Sequence, residues 1–299
     1  MTISLDPRSM LKKTLFGLVY QTGRFWRGGG ITILSYHSID EHGTPLSVSP
    51  RLFAEQMRTL AGENCVTLTM DEVARHMANG TKFPPRAVAI TFDDGFANLY
   101  THALPVLRHH DLKATVYVIT GMVGKATRWT DGSTLLPSLP LLDWTQLAAL
   151  RNAGIEIGAH SVTHGFMTRY PDPQLHNELS APKAELEQRL GQAIGAFAYP
   201  QGDYDGRVVR AVKQAGYLTA VTVDQGRAAV NGDPLCLPRL LVSNNTTPAT
   251  MRAFVVPAIG PAYSLINLVL RHALDRKQWP RRKPGEVDST GTLESTDGN

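Results

Sequence analysis

Six side chains of this chain carry the types and spacings that hydrolytic chemistry needs. Thr91-Phe-Asp-Asp-Gly95 sets two adjacent carboxylates, Asp93 and Asp94, at the end of a short apolar run. His160-Ser-Val-Thr-His164 sets two imidazoles four residues apart, a spacing that brings both onto one metal where the backbone turns helically. A carboxylate with two histidines is a three-ligand set that leaves positions open for water. The carboxylate left over is free to act as a general base. His37 and Arg239 follow two further apolar runs or lie within them. Each signal alone has a plainer reading. Asp-Gly is a common turn dipeptide, and a buried histidine is often only packed.

The elements that must position these residues alternate. Apolar β-type runs cover Ile31–Tyr36, Ala87–Phe92, Ala114–Ile119, Ile155–Ala159, Ala196–Tyr199, Leu218–Val223 and Leu235–Val242. Helical patterns lie between them, at Leu52–Leu60 and at segments opening on Thr69 and Asp143. Glu72 and Gln146 complete capping boxes with those two openers. Asp172 precedes Pro173, which suits a first helical turn, and the segment from Asp205 ends at Gly216 as a helix C-terminus would. This alternation predicts an α/β fold, a (β/α) barrel of about seven parallel strands. The candidate residues then gather at one rim, because His37, Asp93, Asp94, His160, Tyr199-Pro200-Gln201 and Asp224 each follow or end a run.

These motifs resemble the polysaccharide deacetylase (NodB-like, carbohydrate esterase family 4) superfamily. The resemblance rests on Thr91–Gly95, on His160–His164, and on the approach from Asp143-Trp144 through Gly154-Ile-Glu-Ile-Gly to His160, and it runs from about Ile31 to Val242. It implies a distorted (β/α) barrel and hydrolysis of the N-acetyl amide of an N-acetylated glycan. By position it makes Asp93 the base, and makes Asp94, His160 and His164 ligands of a divalent metal, usually zinc. Three departures stand out. Ala198 replaces an arginine that precedes a proline by two residues and orients the base. Gln201, after Pro200, replaces a tyrosine whose backbone N–H helps hold the oxyanion, a swap that a backbone donor tolerates. The late leucine-x-histidine motif is absent, since Leu-Leu-Val-Ser-Asn-Asn follows Arg239. Tyr36-His37 resembles an element of the poly-N-acetylglucosamine deacetylases, which implies that His37 is the acid. Tyr199 is then expected at the sugar site, Asp224 as a charge partner tuning His37, and Arg239 as the replacement for the missing arginine. A non-haem iron oxygenase site, a hydrolase of non-sugar amides such as ureides, and an inactive glycan-binding barrel are the competing readings.

Composition sets the outer bounds. The chain has 299 residues, 42% hydrophobic and 19% charged, which excludes collagen, coiled coil and wholesale disorder. Two cysteines make no disulfide scaffold. A net charge of +4 is too mild to argue for nucleic acid. The charge is uneven: +4 over residues 1–30, −2 over 31–250, +6 over 251–283 and −4 over 284–299. The expected organisation is a basic N-terminal segment (1–30), a catalytic barrel (31–250), an apolar and basic C-terminal helix (251–278) and a disordered tail (279–299). Leu11, Leu15, Leu18, Val19 and Trp26 share one helical face opposite Lys12, Lys13, Arg24 and Arg27. That pattern suits either a cover for the barrel or peripheral contact with an anionic membrane. No clean signal peptide is visible, and Pro257 and Pro261 break the longest uncharged run, Ala253–Leu270. The expected location is the cytoplasm, peripheral on the inner face of the plasma membrane.

Overall fold

The structure, a computed structural model, describes residues 30–127 and 138–255. Seven parallel strands close into a ring: β1 (Gly30–Tyr36), β5 (Ala87–Phe92), β6 (Thr115–Val118), β7 (Glu156–Ala159), β8 (Ala196–Ala198), β9 (Thr219–Gln225) and β11 (Leu237–Leu241), which returns to β1. Each coincides with one of the apolar runs read from the sequence. Four short strands are additional. β2 (Ser38–Ile39) and β3 (Ser47–Val48) pair outside the ring. β4 (Val66–Thr67) extends the lower half of β5, and β10 (Ala228–Ala229) runs antiparallel to β1. The helices are α1 (Pro50–Gly62), α2 (Met70–Ala78), α3 (Leu104–His109), α4 (Trp144–Asn152), α5 (Asp172–Leu190), α6 (Gly206–Gln214) and α7 (Pro248–Phe254). The Thr69–Glu72 and Asp143–Gln146 capping boxes both form, and Asp205 caps α6.

Strand periodicity divides the core into two layers. Ile31, Ile33, Ala87, Ala89, Tyr117, Ala196, Ala198, Val221 and Leu237 pack together inside the ring. Leu34, Tyr36, Val88, Ile90, Phe92, Phe197 and Leu240 pack outward with residues of the helices. The alanine-rich interior has room for two large side chains, Tyr117 and Arg239. Gly158 lies beside Tyr117 in register, and a Cβ there would come within 2.7 Å of the ring.

Helix α7 straddles the expected barrel boundary at residue 250. Its Met251, Ala253 and Phe254 are buried, and the Phe254 carbonyl accepts from Thr32 Oγ1. The expected N-terminal segment, the C-terminal segment beyond Val255 and the tail lie outside the described residues. Among the described residues no helix is long and apolar enough to cross a membrane.

Candidate active site

The site forms where β1, β5, β7 and β11 end at one rim. Asp93 follows β5, and its N–H still donates to the Tyr36 carbonyl at 3.0 Å. The chain then turns sharply, with φ at +70° for Asp94 and +72° for Gly95. Both carboxylates are buried.

Arg239 grips Asp93. It is the largest fully buried side chain of the described residues. Its two terminal nitrogens each donate to one Asp93 oxygen at 2.7 Å, Nη1 also reaches Thr91 Oγ1 at 3.1 Å, and Nε donates to the Thr222 carbonyl at 2.9 Å. Burial alone would raise the Asp93 carboxyl, but the guanidinium charge and its paired hydrogen bonds hold it below the usual carboxylate range. Asp93 is therefore ionised and fixed in orientation. Arg239, expected as the replacement for the arginine missing at Ala198, lies against Asp93.

Asp94, His160 and His164 converge beside this pair, with one candidate ligand atom from each all within 4.8 Å. His160 Nδ1 lies 2.8 Å from the Ala198 carbonyl, which only accepts, so Nδ1 carries the proton. In the neutral ring the Nε2 lone pair then faces Asp94 Oδ1 at 3.4 Å, and His164 Nε2 faces the same oxygen at 3.3 Å. These contacts are long for charge-assisted hydrogen bonds, and the buried Oδ1 has no hydrogen-bond partner. A lone pair opposite a carboxylate oxygen is repulsive unless a proton or a cation lies between them. Without a cation a proton fills the gap: burial lowers the His160 pKa, but the Asp94 contact, the Asp93 charge and the Ala198 carbonyl together outweigh it and the net shift is upward. The Asp94 carboxyl is in turn held far below its usual range, against burial, by the two imidazoles. The N,N,O donor set and the orphaned oxygen fit a divalent cation with open positions.

The path between the histidines differs from the expected helical turn. Residues 161–164 form a loop in which Ser161 and His164 both have φ of +62°, and His164 N–H donates to Ser161 Oγ at 2.9 Å. Gln201 is also left-handed, with φ of +56°. Four of the seven described non-glycine residues with positive φ are Asp94, Ser161, His164 and Gln201. Such backbone persists where surrounding contacts over-determine it. The contacts here run between loops. Gln201 Nε2 reaches the His164 carbonyl at 3.4 Å, and the Asp203 carboxylate accepts from Thr168 N–H at 2.8 Å and from its hydroxyl. Pro200 is buried beneath Gln201 and opens that turn.

His37 faces the same centre. Its Nε2 is 3.9 Å from Asp93 Oδ2, its side chain is 16% exposed, and its Nδ1 is buried with no hydrogen-bond partner. Burial lowers its pKa, and Asp93 and Asp94 offset that only in part.

Two expectations are corrected. Tyr199 does not present its ring to a sugar: it is 1% exposed, its hydroxyl donates to the Leu235 carbonyl, and it stacks on Tyr204. Tyr199 shares the outward face of Phe197, two residues earlier, and its ring is taken up by the core between the strands and the helices. Asp224 does not pair with His37. It is exposed and accepts from Tyr204 Oη at 2.7 Å and from Thr222 Oγ1. Sequence reasoning also missed Glu178, whose carboxylate accepts from Val162 N–H, Thr163 N–H and Thr163 Oγ1. A signal for it existed: Glu178 interrupts the apolar stripe Leu175, Leu179, Pro182, Leu186 of α5.

Known proteins are similar to this chain in sequence and in fold. Residues 80–220 match the family profile described as Polysaccharide deacetylase. That span holds Asp93, Asp94, His160, His164 and Gln201, while His37 and Arg239 lie outside it. YxkH of Bacillus subtilis (strain 168), named for the same family, is 27% identical over 75% of this chain and 76% of its own. Poly-beta-1,6-N-acetyl-D-glucosamine N-deacetylase of Staphylococcus epidermidis is 27% identical over 67% of this chain and 69% of its own. The solved structure of Streptococcus pyogenes deacetylase PplD in complex with acetate superimposes with a TM-score of 0.67 at 28% identity, over 75% of this chain and 97% of that one. In its closed barrel, its Asp-His-His cluster and its relatives, the chain is similar to the polysaccharide deacetylase superfamily.

Proposed function

We propose that this barrel hydrolyses the N-acetyl amide of an N-acetylglucosamine-containing polysaccharide, using a divalent cation for which zinc is the best fit. The observation that carries this reading is the Arg239–Asp93 pair standing against the Asp94, His160 and His164 cluster. The three cluster residues would hold the cation. Bound there, a divalent cation supplies Lewis acidity toward both a water and the acyl oxygen. Asp93, kept ionised and aimed by Arg239, accepts the proton of the attacking water. The Gln201 N–H donates to the acyl oxygen as it gains charge. His37 donates a proton to the departing amine, the step that makes the amine a competent leaving group.

The alternatives weaken on the same geometry. A dead binding barrel has no use for a base held by a buried bidentate arginine. An oxygenase has no use for a second, ionised carboxylate beside its ligands. The substrate choice is supported by relatives named as poly-beta-1,6-N-acetyl-D-glucosamine N-deacetylases. Acetate release from poly-β-1,6-N-acetylglucosamine oligomers by the zinc-loaded chain tests the proposal. Asp94→Ala is expected to lose bound metal and activity together. No acetate from any N-acetylated glycan, with metal bound, overturns it.

A further inference from the structure

The backbone between the two histidines is hydrogen-bonded from two sides. The Ser161 and Val162 carbonyls accept from Thr120 N–H at 3.2 Å and Gly121 N–H at 3.0 Å. A Cβ on residue 121 would come within 2.5 Å of the Val162 carbonyl oxygen, so glycine permits this approach. On the other side, Val162 N–H and Thr163 N–H donate to one oxygen of Glu178 at 2.9 and 3.0 Å, and Thr163 Oγ1 donates to the other at 2.9 Å. Glu178 is 2% exposed, and among the described residues it makes no ion pair. A buried carboxylate is unfavourable unless its oxygens are fully bonded. Here both oxygens are committed to a single four-residue loop.

The helix that carries Glu178 is altered at the same place. Pro182 lies inside α5, four residues after Glu178. It has no N–H, so the Glu178 carbonyl lacks its helical partner. A proline in a helix interior and a carboxylate on its buried stripe both disfavour the helix. Together they deliver an anion to the loop between His160 and His164.

We infer that Glu178 is the positioning residue of the metal site. It holds Ser161 and His164 in left-handed backbone and so sets the distance of His164 Nε2 from Asp94 Oδ1 and His160. The inference rests on the reading of Asp94, His160 and His164 as metal ligands. It does not require the substrate to be known.

Zinc affinity of the full chain, measured by competition with a chromophoric chelator, tests it without any activity assay. Glu178→Ala is expected to weaken zinc binding about 10–100-fold, the range for residues that orient ligands. Glu178→Gln keeps one oxygen for both amides and an NH₂ for Thr163 Oγ1, so it is expected to restore affinity to within about threefold. A role in folding alone would lower stability and leave zinc affinity unchanged. If Glu178→Ala fails to fold, Glu178→Asp decides: its shorter reach must weaken zinc binding, and affinity equal to wild type overturns the inference. Affinity equal to wild type in a folded Glu178→Ala overturns this inference alone. Failure of the wild-type chain to bind zinc overturns the site reading and this inference with it.

Discussion

Replacing Arg239 by methionine strands the Asp93 carboxylate inside the barrel, and the structure bounds what that costs. Both partners are buried, and each Asp93 oxygen depends on one guanidinium nitrogen at 2.7 Å. Breaking a buried pair by removing one partner costs about 3–5 kcal/mol. An independent bound agrees with that range. The lone carboxyl escapes its charge by taking up a proton, which at pH 7 costs about 1.36 kcal/mol for each unit above an unfolded pKa of about 3.9, so about 4 kcal/mol in all. The Thr91 hydroxyl and the Thr222 carbonyl also lose their donor. Together these correspond to a melting-temperature loss of roughly 6–20 °C for a domain of this size. The assay is thermal and urea unfolding of the metal-free protein in a double-mutant cycle with Asp93→Asn. Because the penalty is that of an unpaired charge, the double variant is expected to recover most of it, a coupling of about 2 kcal/mol or more. Wild-type stability in Arg239→Met refutes the reasoning, and so does strict additivity in the cycle.

Two other predictions follow from single side chains. His37→Ala is expected to keep its metal content and lose about 10²–10⁴-fold in kcat on an N-acetylglucosamine oligomer, the range for one general acid; unchanged kcat would place the acid elsewhere. Glu156, at the opposite end of the barrel, has its carboxyl pushed up to about 7 by burial, against hydrogen bonds from Thr115 Oγ1 and the Met70 and Asp71 amides. Its folded pKa lies above the unfolded one, so its contribution to stability is full below about pH 4.5 and is lost as pH rises to about 7, at most about 3 kcal/mol. Unfolding of wild type and Glu156→Gln between pH 4.5 and 8 should show this slope in wild type only; a slope common to both sinks the assignment.

The ring strands were legible because their residues contact core on both faces, and that demands continuous apolar runs such as Ala87–Phe92. Helix starts were legible because a cap is a local transaction between residues three apart, as at Thr69 and Glu72. The metal cluster was legible in part, since Asp93-Asp94 and His160-x3-His164 are dense in chemistry within five residues. What joins those motifs was legible only as an expectation raised by the arginine missing at Ala198. Arg239 lies 146 residues from Asp93 and reaches it only because β11 closes the ring onto β1, beside β5. Tyr199 and Asp224 misled because a position next to a strand end does not say which way a side chain turns.

The sequence by itself determined the barrel, the identities of the carboxylates and imidazoles, and the rim they share, because these depend on periodicity and on residue types close together in the chain. The resemblance gave Asp93 and Asp94 different roles, but only the tertiary structure placed the Arg239 guanidinium on the first and both imidazoles against the second. It also decided that the histidine loop is left-handed rather than helical, and that Glu178 on α5 holds it. The physical reason is common to all three. A buried charge is settled by whichever partner the fold brings within about 3 Å, and here those partners come from strands and helices remote in the sequence.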